Sequence, residues 1–384
     1  MTDEDQYRER MRRKKAAIDR RIAAASNDKG LLLALVGAGM GKSSSAYGMV
    51  ARSLGHGMRC AVARLTPGSG GELKFLSQFD DIEVRTREAD CADAHAQISD
   101  NWLQGRLNDP SVDLVVLDGV DAALEDGLLR VESLGHWLAE RPTMQHVVIT
   151  GGSLPPALLD QADTISELRD AKHVLREAQP RVTDPGQADA ALDELETRAG
   201  RAWQAIDRLD HATGQGRWLV HTGNGKAKST AAFGKVIRAL GHGRRVGIAQ
   251  FIKGKFTTGE RELFAEHPRV TYRVMGQGFT WETQNRGEDQ ANADGAWAEA
   301  AALLGDPAID LVMLDELNNT IKKGYLDIEQ VIETLRNRPA HQDVIVTGRN
   351  ARPAMMAAAD AVTQVRKKRH AFDAGYRAQK GIDL

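Results

Sequence analysis

Cysteine is nearly absent, with only Cys60 and Cys91 in 384 residues. Two thiols are too few for a disulfide framework or for a cysteine-ligated zinc or iron–sulfur centre, and their scarcity suits a reducing, cytoplasmic setting. An excess of one charge is missing too. The chain has 51 Lys and Arg against 53 Asp and Glu, a net charge of −2. No strong positive field is therefore available to hold nucleic acid or an anionic membrane. Apolar runs such as Leu31–Val36 are far too short to span a bilayer. The opening Met1-Thr2-Asp3-Glu4-Asp5 lacks the apolar core of a secretory signal. Aromatics are scarce at 5%, and only six lie in the first 186 residues. What remains is ample for a core: 42% of residues are hydrophobic, in a length that suits two ordinary domains or one large α/β domain.

The chain is written twice. Gly37–Gly57 (GAGMGKSSSAYGMVARSLGHG) and Gly223–Gly243 (GNGKAKSTAAFGKVIRALGHG) agree at 12 of 21 positions at an offset of 186. Asp113–Asp118 aligns with Asp310–Asp315 at an offset of 197, as do Arg141-Pro142 with Arg338-Pro339 and Val147–Gly151 with Val344–Gly348. The second copy therefore carries a net insertion of 11 residues between these landmarks. Ordered agreement of this kind predicts a tandem duplication, with domains at 1–182 and 187–384 and a Pro- and Gly-containing linker over 179–190.

Each copy alternates short apolar strands with helices, which predicts an α/β fold with a mostly parallel sheet covered by helices on both faces, of the P-loop NTPase (RecA-like) kind. Strands are expected at Leu31–Val36, Cys60–Leu65, Leu114–Leu117 and His146–Thr150. In the second copy they are expected at Trp218–His221, Val246–Phe251, Leu311–Leu314 and Val344–Thr347. The Leu-Gly-His-Gly strings end helices through a left-handed glycine, so His56 and His242 read as cap residues. Residues Asp5–Ala25 read as an Arg-rich helix and Asp189–Leu209 as a more acidic one.

A strand, a Gly-rich loop with Lys-Ser, and a helix together cradle phosphate: backbone N–H groups and the helix N-terminus hold anionic oxygens, lysine adds charge, and the hydroxyl ligates Mg²⁺. In the second copy these residues are Gly223, Asn224, Gly225, Lys226, Ala227, Lys228, Ser229 and Thr230. In the first copy Gly39, Gly41, Lys42 and Ser43 are the counterparts, a vestigial nucleotide site completed by Asp118. A dinucleotide loop requires an acid some 20 residues on, and neither Gly41–Gly71 nor Gly223–Gly259 contains one. Asp315 and Glu316 end a strongly apolar strand, where acids serve Mg²⁺ directly or through water.

The strings His221–Gly234, Leu240–Gly254, Met275–Asn285, Leu314–Asp327, Arg338–Asn350 and Phe372–Leu384 resemble the P-loop ATP:corrinoid adenosyltransferases, and cover nearly all of 215–384. The first copy resembles the same family more weakly. The resemblance implies that a reduced, cobalt(I) corrinoid attacks the 5′ carbon of ATP and that triphosphate leaves. ATP is the co-substrate, the corrinoid the substrate, Mg²⁺ or Mn²⁺ the cofactor (through Ser229, Asp315 and Glu316), and a flavoprotein reductase the electron donor. It further implies that Phe279 and Trp281 press on the lower face of the corrin, with Arg349 and Asn318 as additional site residues. Ala227 stands where the family has glycine. The intact Lys228 and Ser229 predict that Ala227 already begins the helix, where alanine is harmless, rather than holding a positive φ, where it costs about 1 kcal/mol or more.

The first copy departs further. Met40 replaces the counterpart of Lys226, Gly119 that of Glu316 and Gly152 that of Arg349, and the Gly-Phe-Thr-Trp loop is missing. The expectation is a working second copy and a degenerate first copy, paired within one chain as a pseudo-dimer, with homo-oligomerisation left open. The Arg-rich first helix either covers the second copy's site or is a solvated segment. The alternatives are a nucleotide-gated corrinoid-binding regulator with little turnover, and a generic ATPase that leaves Phe279 and Trp281 without a purpose.

Overall fold

The computed structural model describes residues 3–67, 70–87, 98–173, 215–251, 258–274 and 285–383. The predicted linker, the second charged helix and the Gly-Phe-Thr-Trp loop lie outside them. The first copy runs α1 (Asp3–Ala24), β1 (Leu32–Val36), α2 (Lys42–Gly55), β2 (Cys60–Arg64), α3 (Gly71–Leu76), β3 (Ile82–Thr86), α4 (Asp100–Leu107), β4 (Leu114–Asp118), α5 (Val120–Glu125), α6 (Val131–Glu140), β5 (His146–Thr150), α7 (Pro156–Leu159) and β6 (Thr164–His173). The second runs β7 (Trp218–Thr222), α8 (Lys228–Gly241), β8 (Val246–Gln250), α9 (Gly259–Phe264), β9 (Val270–Val274), α10 (Arg286–Gly305), β10 (Leu311–Asp315), α11 (Leu317–Lys322), α12 (Ile328–Arg336), β11 (Asp343–Thr347), α13 (Pro353–Ala358) and β12 (Ala361–Arg369). The eight expected strands are present to within a residue at each end. Four more, β3, β6, β9 and β12, were not read from the sequence. None of the described helices is long and apolar enough to cross a membrane.

All twelve strands form one sheet, in the order β3-β2-β4-β5-β1-β6-β12-β7-β11-β10-β8-β9. The order is a palindrome of the two copies. Every neighbouring pair is parallel except β6 and β12, which join the copies antiparallel, Val365 opposite Leu168. Period-2 alternation then sorts the side chains. Leu31, Leu33 and Leu35 of the first copy and Val246, Ile248 and Met313 of the second face one core shared with α2, α3, α8 and α9. The alternate residues face two separate cores, one per copy, on the opposite side.

The shared core is where the copies interlock. α2 and α8 approach so closely that a Cβ on Gly48 would lie 1.9 Å from the Thr230 carbonyl oxygen, and one on Gly234 would lie 1.8 Å from that of Ser44. Gly55 meets Gly259, and Gly241 meets Gly71, in the same reciprocal way. Two ion pairs on buried carboxylates repeat the exchange: Arg52 with Glu260 at 2.5 Å, and Arg238 with Glu72 at 2.6 Å. Each contact recurs with the copies swapped, the signature of an isologous interface, here within one chain.

Candidate functional site

The two phosphate loops stand at the heads of α2 and α8. Each helix is preceded by a residue in the left-handed region, Gly41 at φ 94° and Ala227 at φ 104°. Ala227 therefore does not begin the helix. It holds the strained position that glycine fills in the first copy, because the loop must reverse there to aim its amides at one point. Lys228 is buried and donates to the Gly225 carbonyl at 2.6 Å. Asn224 accepts from the Lys367 amide at 3.1 Å, and Gly225 donates to Val365 O at 2.9 Å. The Thr230 hydroxyl, expected at phosphate, is 2.6 Å from Ser45 Oγ of the first copy.

Residues Asn224–Thr230 line a cavity of about 330 Å³ together with Glu316, Arg349 and His370. The second copy does not build this cavity alone. Leu31, Met49, Arg52 and Thr164 of the first copy form part of its wall. The end of the chain, Ala378, Ile382 and Asp383, forms another. That end is moored on the first copy, Arg52 donating to Ile382 O and Ser53 to Gly381 O. It places Asp383 in an ion pair with Lys226. His370 accepts from the Phe372 amide; burial, reinforced by the nearby Lys226, pushes its pKa down to about 4.

Asp315 is fully buried at the end of β10. Its oxygens accept from Thr347 Oγ1 at 2.7 Å and from Gln250 Nε2 at 3.1 Å. Glu316, at φ 65°, accepts from Asn319 Nδ2. Ser229, Asp315 and Glu316 are hard oxygen donors, the kind that Mg²⁺ takes directly or through its waters. The set fits Mg²⁺ in chemistry. Arg349 lines the cavity. Asn318 is 1% exposed, and neither its Oδ1 nor its Nδ2 has a hydrogen-bond partner among the described residues. Phe279 and Trp281 lie outside the described residues.

The first copy's loop is differently occupied. Met40 N donates to Asp170 Oδ1 at 3.1 Å, and Lys42 Nζ folds back on the carbonyls of Gly37 and Gly39 at 2.5 and 2.9 Å. A carboxylate thus sits on a loop amide, and its counterpart in the second copy is Lys367. Both oxygens of Asp118 are held by protein hydroxyls, Tyr47 at 2.7 Å and Thr150 at 2.6 Å. Gly39, Gly41, Lys42 and Ser43 keep the fold of the loop, and Asp118 ends β4 as Asp315 ends β10. The charge of Asp170 beside the Met40 amide opposes phosphate there.

The Arg-rich helix is not a free solvated segment. Tyr7 donates to Asp289 Oδ2 at 2.6 Å and lies 2.8 Å from the Tyr325 hydroxyl; all three residues are buried. At the other end Arg21 pairs with Asp373 at 3.0 Å and lies over the Phe372 ring. α1 of the first copy is thus fastened to the second. The sequence reading missed Asp383, His370, Arg52 and Tyr7. Two of them left a trace, Arg52 recurring at the repeat offset as Arg238 and His370 as His173.

Comparison with known proteins agrees with this geometry. The family model described as ATP:corrinoid adenosyltransferase BtuR/CobO/CobP matches twice, over residues 28–182 and 214–384. A cob(I)alamin adenosyltransferase N-terminal model matches residues 1–22. A corrinoid adenosyltransferase of Pseudomonas aeruginosa is 55% identical over 171 residues, 44% of this chain and 84% of its own. That of Salmonella typhimurium is 48% identical over 188 residues, 48% of this chain and 95% of its own. An uncharacterized protein of Nostoc sp. is 26% identical over 386 residues, 91% of this chain and 93% of its own, so that match runs through both copies.

Proposed function

Because the chain belongs to the ATP:corrinoid adenosyltransferase family, we propose that its second copy carries the site at which the adenosyl group of ATP passes to the cobalt of a reduced corrinoid. A Co–C bond forms at the 5′ carbon, the C–O bond breaks, and triphosphate departs with the electron pair. The observation that carries this assignment is the cavity. It gathers Asn224–Thr230 of the second phosphate loop with Glu316 and Arg349, whereas in the first copy a loop amide, Met40 N, already donates to the Asp170 carboxylate.

No side chain need act as nucleophile, so the protein's task is electrostatic. Lys226, Lys228 and the loop amides hold the polyphosphate. Ser229, Asp315 and Glu316 would hold Mg²⁺ or Mn²⁺, which neutralises charge on the leaving triphosphate. Lys226 is paired with Asp383, so phosphate binding exchanges one anion for another. His370, neutral in the cavity because of its depressed pKa, adds no charge of its own there. Phe279 and Trp281 are assigned to the corrin face. The division into 1–182 and 187–384, a flavoprotein electron donor and a cytoplasmic setting belong to the same reading.

The test supplies ATP, Mg²⁺ and a chemically reduced corrinoid and follows the light-sensitive Co–C bond. Lys228→Ala abolishes product and Lys42→Ala leaves it. Undiminished turnover in Lys228→Ala would overturn the site assignment, and tight corrinoid binding without product would show a regulator in place of an enzyme.

A further inference from the structure

We propose that Lys14, on the helix the first copy lays across the second, is a contact for the polyphosphate of the nucleotide in the second copy's cavity. The proposal rests on the reading of that cavity as the nucleotide site.

Tyr7, Lys14 and Arg21 are seven residues apart. At 3.6 residues per turn this is close to two turns, so the three side chains fall on one stripe, drifting by about 20° per step. Fourteen residues at a rise of 1.5 Å make the stripe about 21 Å long. Both of its ends touch the second copy. Tyr7 is sealed against Asp289 and Tyr325, and Arg21 lies over Phe372. Phe372 lines the cavity, as does Arg349. The middle of the stripe, Lys14, is therefore held between two points fixed on the second copy, one of them at the cavity.

What surrounds Lys14 is positive. Its pKa is pushed down by burial and by repulsion from Lys322, Arg10 and Arg349. That of Lys323 falls to about 8, through burial and through repulsion from Lys14, with Asp289 and Glu316 acting the other way. Five cations thus converge from two copies, and one of them, Arg349, lines the cavity with the phosphate loop. Bringing like charges together is unfavourable on its own. A triphosphate, with several charged oxygens spread over a few ångströms, relieves that repulsion at many points, and a single carboxylate does not. Lys14 and Arg349 are exposed and so accessible to such a ligand.

The experiment measures binding of inorganic tripolyphosphate with Mg²⁺ to the full chain by calorimetry, alongside KM for ATP and kcat. Lys14→Ala is expected to weaken tripolyphosphate and raise the ATP KM by about five- to tenfold, the scale of one exposed charge-assisted contact. Lys14→Arg restores both, and the melting temperature stays that of the parent. An unchanged tripolyphosphate affinity in Lys14→Ala overturns the proposal, and so does a variant that loses affinity only for the corrinoid. Should Lys228→Ala also bind tripolyphosphate normally, the phosphate-loop reading fails first and Lys14 with it, a result distinct from failure of Lys14 alone.

Discussion

Replacing Gly234 by alanine should destabilise the whole chain, although alanine is the better helix former. An exposed interior glycine costs a helix about 0.5–1 kcal/mol relative to alanine. At Gly105, where an added Cβ meets nothing within 4 Å, the same substitution should therefore stabilise by about that much. At Gly234 the added Cβ would lie 1.8 Å from the Ser44 carbonyl oxygen. Ordinary contact begins near 3.4 Å, so the approach is short by 1.6 Å. The obstacle is backbone, and no rotamer change relieves it; α2 and α8 must part. Overpacking of this severity costs about 3 kcal/mol or more, leaving a net loss of about 2 kcal/mol after the helical gain. With an unfolding entropy of about 2.1 cal/mol/K per residue, that lowers Tm by about 3 °C. Gly48→Ala meets the Thr230 carbonyl at 1.9 Å and should cost the same. Since one separation of the helices relieves both clashes, the double variant should lose less than the sum. Gly48→Ala also presses on the first turn of α8, so it should raise the ATP KM from the copy that does no chemistry. Calorimetric Tm values for the three variants and the Gly105→Ala control decide the matter. A Gly234→Ala chain that melts with or above the parent, or strict additivity in the double variant, would refute the interlocked-helix argument.

Three further outcomes follow from the same geometry. Equilibrium dialysis with Mg²⁺ and ATP should find one nucleotide per chain, unaffected by Lys42→Ala; two bound nucleotides would contradict the closure of the first loop by Asp170. Arg52→Ala removes the ion pair of the buried Glu260, and should cost about 3–5 kcal/mol in urea unfolding. Arg238→Ala should cost less, because its side chain is 26% exposed against 8% for Arg52. Burial holds the folded pKa of His221 at about 4 against 6.5. Between those values the unfolded state binds more protons, so stability is complete above pH 6.5, falls as pH drops toward 4 and levels off below. For His221 this loss is on the order of 3 kcal/mol; His221→Gln should flatten the slope of the urea midpoint against pH, and an unaltered slope would exclude His221 as its source.

The duplication, the two phosphate loops and the strands that carry them were legible because they are local: an apolar run, a glycine loop, a helix with its cap. The four missed strands were hidden for physical reasons. β3 and β9 are sheet edges, and their alternating Ile-Glu-Val-Arg-Thr and Val-Thr-Tyr-Arg-Val show no continuous apolar run. β6 and β12 continue past the core as Arg169-Asp170 and Arg366–Arg369, so their charged ends mask buried beginnings. Ala227 was misjudged because φ belongs to the loop's reversal and not to the residue type. The cavity could not be composed from either copy's sequence, since Met49, Arg52 and Asp383 reach it only through the shared sheet and the interlocked helices.

The asymmetry between the copies explains why the first persists. The residues of the interface remain the same in both: Gly48 and Gly234, Gly55 and Gly241, Arg52 and Arg238, Glu72 and Glu260. Each of these positions serves two contacts, one in its own copy's surroundings and one reciprocal, so a change in either copy damages the shared core. The residues of the site have diverged: Met40 against Lys226, Asp170 against Lys367, Gly119 against Glu316, Gly152 against Arg349. The first loop has Met40 in place of the second lysine and Asp170 in place of Lys367, yet the helix behind it still packs on α8, its arginine still moors the chain end at the cavity, and α1 still crosses the second copy. Cutting the first copy away would therefore expose the shared core, open the second site and remove the proposed Lys14 contact, even though the second phosphate loop itself would be left whole.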